Sequence, residues 1–100
     1  MAKKSMTERE AKRNKLIQKY NSQRQEIKKR LNNKLTFIQQ IELQKELQKL
    51  PRNSAPCRRR NRCWKTGRSR GFYKDFGLSR HVLREMSHKC LLPGVKKSSW

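Results

Sequence analysis

Apolar residues recur in three stretches of this chain and lapse between them. In the first, Leu16, Tyr20, Ile27 and Leu31 fall four or seven apart, the spacing of one helix face. Ahead of them, Thr7-Glu8-Arg9-Glu10 has the form of a capping box. A helix is expected from about Thr7 to Leu31, with Asn32-Asn33 as its stop. In the second stretch Ile38, Ile41, Leu43, Leu47 and Leu50 are three or four apart except at Leu43. Thr36-Phe37-Ile38-Gln39 opens this helix as another capping box, and Pro51 disfavours helix at Leu50. Two helices joined at Asn32 to Leu35 predict an antiparallel hairpin. The third stretch, Val82, Leu83, Met86 and Cys90, predicts a helix that starts at Ser79, with its hydroxyl as cap, and runs to about Lys89 before Leu91-Leu92-Pro93-Gly94. Val95 to Trp100 has no periodicity and is expected to be extended, with Trp100 docked in a partner or stacked.

Between the second and third stretches, Pro51, Pro56, Gly67 and Gly71 exclude a long helix, so this backbone is irregular or turn-rich. The expected fold is mainly α. It comprises an extended N-terminal helical hairpin over 1–50, then over 51–100 an arginine-rich turn region, a hairpin, a short C-terminal helix and an extended tail. Little independent core is expected, since only 32% of the 100 residues are hydrophobic.

Charge changes the picture most. The formal net charge is +21, a self-repulsion that leaves the free chain poorly ordered until a counter-charge neutralises it. The charge is spread over both halves, so both are expected to touch one polyanion. The segment Leu50 to Tyr73 holds eight basic residues and no carboxylate. Arginine dominates there, and a guanidinium forks onto phosphate where an ammonium acts as a point charge. Trp64, Phe72 and Tyr73 interleave with the cations and offer flat faces to an unpaired base. The residues expected to meet RNA are Arg52, Arg58, Arg59, Arg60, Arg62, Trp64, Lys65, Arg68, Arg70, Tyr73, Lys74, Arg80, Arg84, Lys96 and Lys97. A membrane is the weaker partner, because the helices carry cations on several sides and no apolar run nears the roughly 20 residues of a span. MAKKSM is followed by no apolar segment, unlike a secretory signal.

No catalytic signature joins Cys57, Cys63, Cys90, His81, His88 or the seven carboxylates, so neither an enzyme nor a small-molecule substrate is expected. Cys63-Trp64-Lys65-Thr66-Gly67 resembles half a zinc knuckle with Thr66 in place of the second thiolate. No metal or other cofactor is expected.

The segments LPRNSAP (Leu50 to Pro56), RNRCWKTGRSRGFYKDFGLSRHVLREM (Arg60 to Met86) and LLPGVKKSSW (Leu91 to Trp100) resemble the family of the fourteenth protein of the bacterial-type small ribosomal subunit. The resemblance implies a non-enzymatic constituent of the subunit head that binds rRNA, supports head assembly and translation, and touches the third, tenth and nineteenth proteins. One branch of that family keeps four zinc cysteines, whose positions fall here on Cys63, Thr66, Ser79 and Val82. Three are replaced, so the chain resembles the zinc-free branch. The hairpin is then expected to rest on Cys63, Trp64, Phe76, Leu78, Val82 and Leu83, with Cys63 replaceable and Phe76→Ala the more damaging change. The ending SSW, Trp64 after Cys63, and LREMSHKCLLPG look like cyanobacterial and plastid members and imply a plastid ribosome, with a cyanobacterial cytoplasm as the alternative. A reading from another class is a basic accessory factor acting on free nucleic acid or membrane.

Overall fold

The computed structural model describes residues 1–99, so the expectation for Trp100 lies outside the described residues. Three helices, α1 (Lys4–Leu31), α2 (Phe37–Lys49) and α3 (Arg80–His88), account for most of the regular structure. Strands β1 (Phe72–Tyr73) and β2 (Leu78–Ser79) form one short antiparallel pair, with Phe72 opposite Ser79 and Tyr73 opposite Leu78. By internal packing the chain divides into two compact units, Glu8–Arg59 and a second made of Met1–Thr7 with the residues from Arg60 onward.

α1 begins at Lys4, one turn before the expected start. The Thr7 hydroxyl donates back to the Lys4 carbonyl at 2.8 Å, so it serves the first turn from inside and caps nothing. Glu10 is buried and accepts from Arg13 Nη1 at 3.0 Å, an i,i+3 contact in place of the expected capping box. In the unit Glu8–Arg59 the half-buried face of α1 includes Leu16, Tyr20, Ile27 and Leu31, as the spacing predicts. Arg24 fills the gap in that stripe. Its Nε donates to Ser54 Oγ at 2.9 Å and its Nη2 to the Pro51 carbonyl at 3.1 Å, which brings the chain beyond α2 back to the middle of α1. Gln23, Glu26 and Ile27 of α1 share a cleft with Glu46, Lys49 and Leu50 at the end of α2, as in a helical hairpin. Thr36 stands at the N-cap of α2, and its amide donates to Gln39 Oε1 at 3.3 Å. Ile38 is 70% exposed, while Ile41, Leu43 and Leu47 are half-buried.

Among the described residues the second unit has a core of three buried apolar side chains, Cys63, Leu78 and Val82, against which Leu83, Met86 and Leu92 pack. This corrects two members of the expected set. Trp64 is 69% and Phe76 41% exposed, because Trp64 opens the turn 64–66 and Phe76 sits on the turn 74–77 that joins β1 to β2. Met86 and Leu92 take their place. Ser79 stands at the N-cap of α3 but its hydroxyl makes no cap hydrogen bond; it is buried beside the core instead. Cys90, expected on the apolar face of α3, is exposed at φ +54°. It occupies the left-handed position just past the helix, and the next amide, Leu91 N–H, donates to the Met86 carbonyl at 2.9 Å, the longer bond of a Schellman ending.

Candidate nucleic-acid interface

The unit that runs from Arg60 onward is assembled around the Cys63 turn. Gly67 N–H closes that turn on the Cys63 carbonyl (2.8 Å), Cys63 N–H donates to Arg68 O (2.9 Å) and Trp64 N–H to Gly77 O (3.2 Å). The N-terminal segment joins it, since Ala2 N–H donates to Thr66 O at 3.1 Å. A Cβ on Gly67 would stand 2.8 Å from Thr7 Cγ2 and 3.1 Å from Ala2 Cβ, and its φ is +73°. Both facts require glycine there.

Burial pushes the Cys63 thiol up, but the Thr66 side chain and the backbone N–H groups of Ser79, Thr66 and Lys65 outweigh it and bring the pKa from 9.0 down to about 6. Thr66 Oγ1 is buried without a hydrogen bond of ordinary geometry, so it acts on the sulfur as a nearby dipole. Cys63, Thr66, Ser79 and Val82 thus gather around one buried sulfur. Together they offer one thiol, two hydroxyls and a hydrocarbon, a donor set that does not fit zinc. Among the described residues no group of three or more His, Cys, Asp or Glu could hold a metal. Among the described residues no helix is long and apolar enough to cross a membrane.

Two clefts in this unit collect the expected cations. Arg62, Arg68 and Arg70 line one of about 440 Å³, together with Ala2, His81 and Glu85. One arm of Arg62 is already engaged, donating to the Gly67 carbonyl at 3.0 Å. Tyr73, Arg80, Arg84, Lys96 and Lys97 line the other, of about 680 Å³, with Ser87 and His88. The strand pair positions that second cleft. Arg80 N–H donates to Gly71 O at 2.7 Å, and a Cβ on Gly71 would stand 3.2 Å from the Arg80 side chain. Arg80, Arg84 and His88 then follow one another at i, i+4 and i+8 along α3, on one helix face. Lys65 and Lys74 are exposed outside these clefts. Arg52, Arg58 and Arg59 belong to the other unit and are exposed there, with Arg58 Nη1 3.4 Å from Asn53 Oδ1. Arg60, at the start of the second unit, is exposed.

Sequence reading missed His81, His88 and Ser87 as cleft residues. The helical spacing of Arg80, Arg84 and His88 was the signal that could have found His88. With 13 basic and 2 acidic residues the second unit carries about +11, and the chain has no carboxylate from Leu47 through Lys74. Such a surface binds a polyanion through phosphate contacts.

Residues 46–99 match the family described as ribosomal protein S14p/S29e. This chain belongs to that family. It is 80% identical, over the full length of both chains, to the small ribosomal subunit protein uS14c of Gracilaria tenuistipitata var. liui. It is 65% identical to uS14c of Porphyra purpurea and 63% identical to uS14 of Trichodesmium erythraeum, again over the whole of each chain. As a member of the family it is a structural constituent of the small ribosomal subunit, with rRNA and ribosomal proteins as partners, and not an enzyme.

Proposed function

We propose that the chain holds rRNA in the head of the small subunit of a plastid ribosome, with the third, tenth and nineteenth small-subunit proteins as its neighbours. The observation that carries the rRNA contact is the cleft in which Arg80 and Arg84 of α3 meet Lys96 and Lys97 of the tail beside Tyr73. It gathers four cations without a carboxylate, so phosphate is the group that balances it. Arg68 and Arg70 form a second contact point, with Arg62, one arm of which is already held. Lys65, Lys74 and Arg60, and in the other unit Arg52, Arg58 and Arg59, are further phosphate contacts. Relatives named uS14c, with cyanobacterial uS14 proteins beside them, support the plastid location.

The test is the salt dependence of binding to a transcript of the small-subunit rRNA head domain. Each neutralised phosphate releases counterions, so replacing Arg80, Arg84, Lys96 and Lys97 one at a time with Ala lowers the log–log slope by roughly 0.7 to 0.9 for each phosphate left unneutralised. An unaltered slope would mean that these side chains face protein or solvent. A high-salt wash of purified subunits checks integral membership: a constituent stays in stoichiometric amount, an accessory factor leaves.

A further inference from the structure

We propose that Trp64 is a platform on which one unpaired nucleobase of the rRNA stacks. The inference rests on the reading of the chain as an rRNA-binding protein and adds to it a site that reads the base and ignores the phosphate.

Trp64 is 69% exposed, an unusual state for the largest apolar side chain unless something covers it. Its backbone is fixed on both sides. Cys63, immediately before it, is buried in the core at 2% exposure, and the N–H of Trp64 itself donates to the Gly77 carbonyl at 3.2 Å. The ring is positioned as well as the backbone. A Cβ built on Gly77 would lie 3.3 Å from Trp64 Cδ1 and 4.0 Å from Nε1, so the pyrrole side of the indole rests over the one residue of that turn that lacks a side chain. Gly77 has φ +66° and its N–H donates to Tyr73 O at 2.9 Å, which holds the supporting turn in place. The indole is thus seated on the hairpin and otherwise open.

A seated, exposed ring loses little conformational freedom when a flat partner covers it, and base–aromatic stacking tolerates any base because every base has a π-face. The setting selects a nucleobase over an apolar protein side chain. Lys65 and Lys74 are exposed close to Trp64 and Gly77 in sequence, against the single acid Asp75, so whatever covers the ring arrives with negative charge. A base carries its phosphate with it.

The experiment uses the full chain with Trp100→Phe, which leaves Trp64 as the sole indole, and the rRNA head-domain transcript. Binding is expected to quench the indole fluorescence. Trp64→Leu should weaken binding about 5- to 150-fold, the range of one base stacked on an aromatic ring, while Trp64→Phe keeps most of the affinity. The salt slope should not change in either variant, since stacking releases no counterions. Unquenched fluorescence with unchanged affinity of Trp64→Leu overturns the proposal, and so does a quench that appears only after head proteins are added, which would assign the ring to a protein contact. A parent chain that shows no salt-dependent binding to the transcript overturns the rRNA reading and this inference with it. Salt-dependent binding without a quench overturns this inference alone.

Discussion

Replacing Leu78 with Ala is expected to release the Cys63–Val82 hairpin, and Phe76→Ala is not. Leu78 is 1% exposed and is the largest of the fully buried side chains. Among the described residues it is one of only three apolar residues buried in its unit, with the half-buried Leu83, Met86 and Leu92 packed against them, so little surrounding core can close over the space it leaves. Leu→Ala in a core costs about 2–5 kcal/mol, the transfer energy of the removed atoms plus the cavity. A unit of fewer than about fifty residues holds no more than about 3–5 kcal/mol from its core. The substitution therefore removes most of what keeps the unit folded. Phe76, 41% exposed on its turn, gives up only part of the roughly 1.5–3 kcal/mol of a fully buried ring. Two measurements decide between them. In reconstitution against an equal amount of parent protein, Leu78→Ala should be excluded from small subunits at a temperature where Phe76→Ala competes well. In hydrogen exchange, the Cys63 and Arg80 amides, which bond to Arg68 O and Gly71 O, should lose protection in Leu78→Ala alone. Exclusion of Phe76→Ala first, or full protection of those amides in Leu78→Ala, would mean that Leu78 does not hold the hairpin.

Cys63, with a folded pKa of about 6 against an ordinary 9.0, behaves as an acid whose charged form is favoured by folding; its stabilisation is complete above pH 9 and is lost as the pH falls through 6. Between about pH 7.4 and pH 5 the loss is about 2 kcal/mol, read as a fall in hydrogen-exchange protection of the 63–79 amides that Cys63→Ala does not show. The same variant leaves the Ser79, Thr66 and Lys65 amides without their sulfur acceptor, so it should incorporate less well than the parent; equal incorporation would bear out the expectation that Cys63 is replaceable. Gly67→Ala sets a methyl against Thr7 Cγ2 and Ala2 Cβ at positive φ and should free the N-terminal segment at a cost of about 1–3 kcal/mol. Limited proteolysis before Thr7 checks it, and unchanged resistance would count against the contact.

Local signals were the legible ones. Thr36, Gln39 and Pro51 bound α2 by contacts within four residues, and the structure places its ends where they predict. The apolar stripe of α1 was legible too, but not Arg24 within it, because its partners Ser54 and Pro51 lie 30 and 27 residues away. Thr7 misled for the opposite reason: its hydroxyl can bond forward as a cap or back into the turn, and the backward bond forms. Trp64 and Phe76 look like core by residue type, yet each sits on a turn, and the Trp64 turn is aimed by its bond to Gly77 on the β1–β2 turn. The cations of the site were visible singly. Their division into clefts depends on the β1–β2 pair and on the return of the tail to α3, neither of which has a periodic signature.

The Arg24 contact sets an order of events. In an unstructured chain, bringing Arg24 to Ser54 closes a loop of 30 residues, at a loop-closure entropy of about 3 kcal/mol plus a constant. Once α1 and α2 exist, only the links between Leu31 and Phe37 and between Lys49 and Ser54 are free to wander, and the length-dependent cost falls to about 2 kcal/mol. Two hydrogen bonds from a half-buried guanidinium can meet the second cost and barely the first. Arg24 is therefore a latch that engages after the helices have formed. Its engagement therefore reports that both helices are in place.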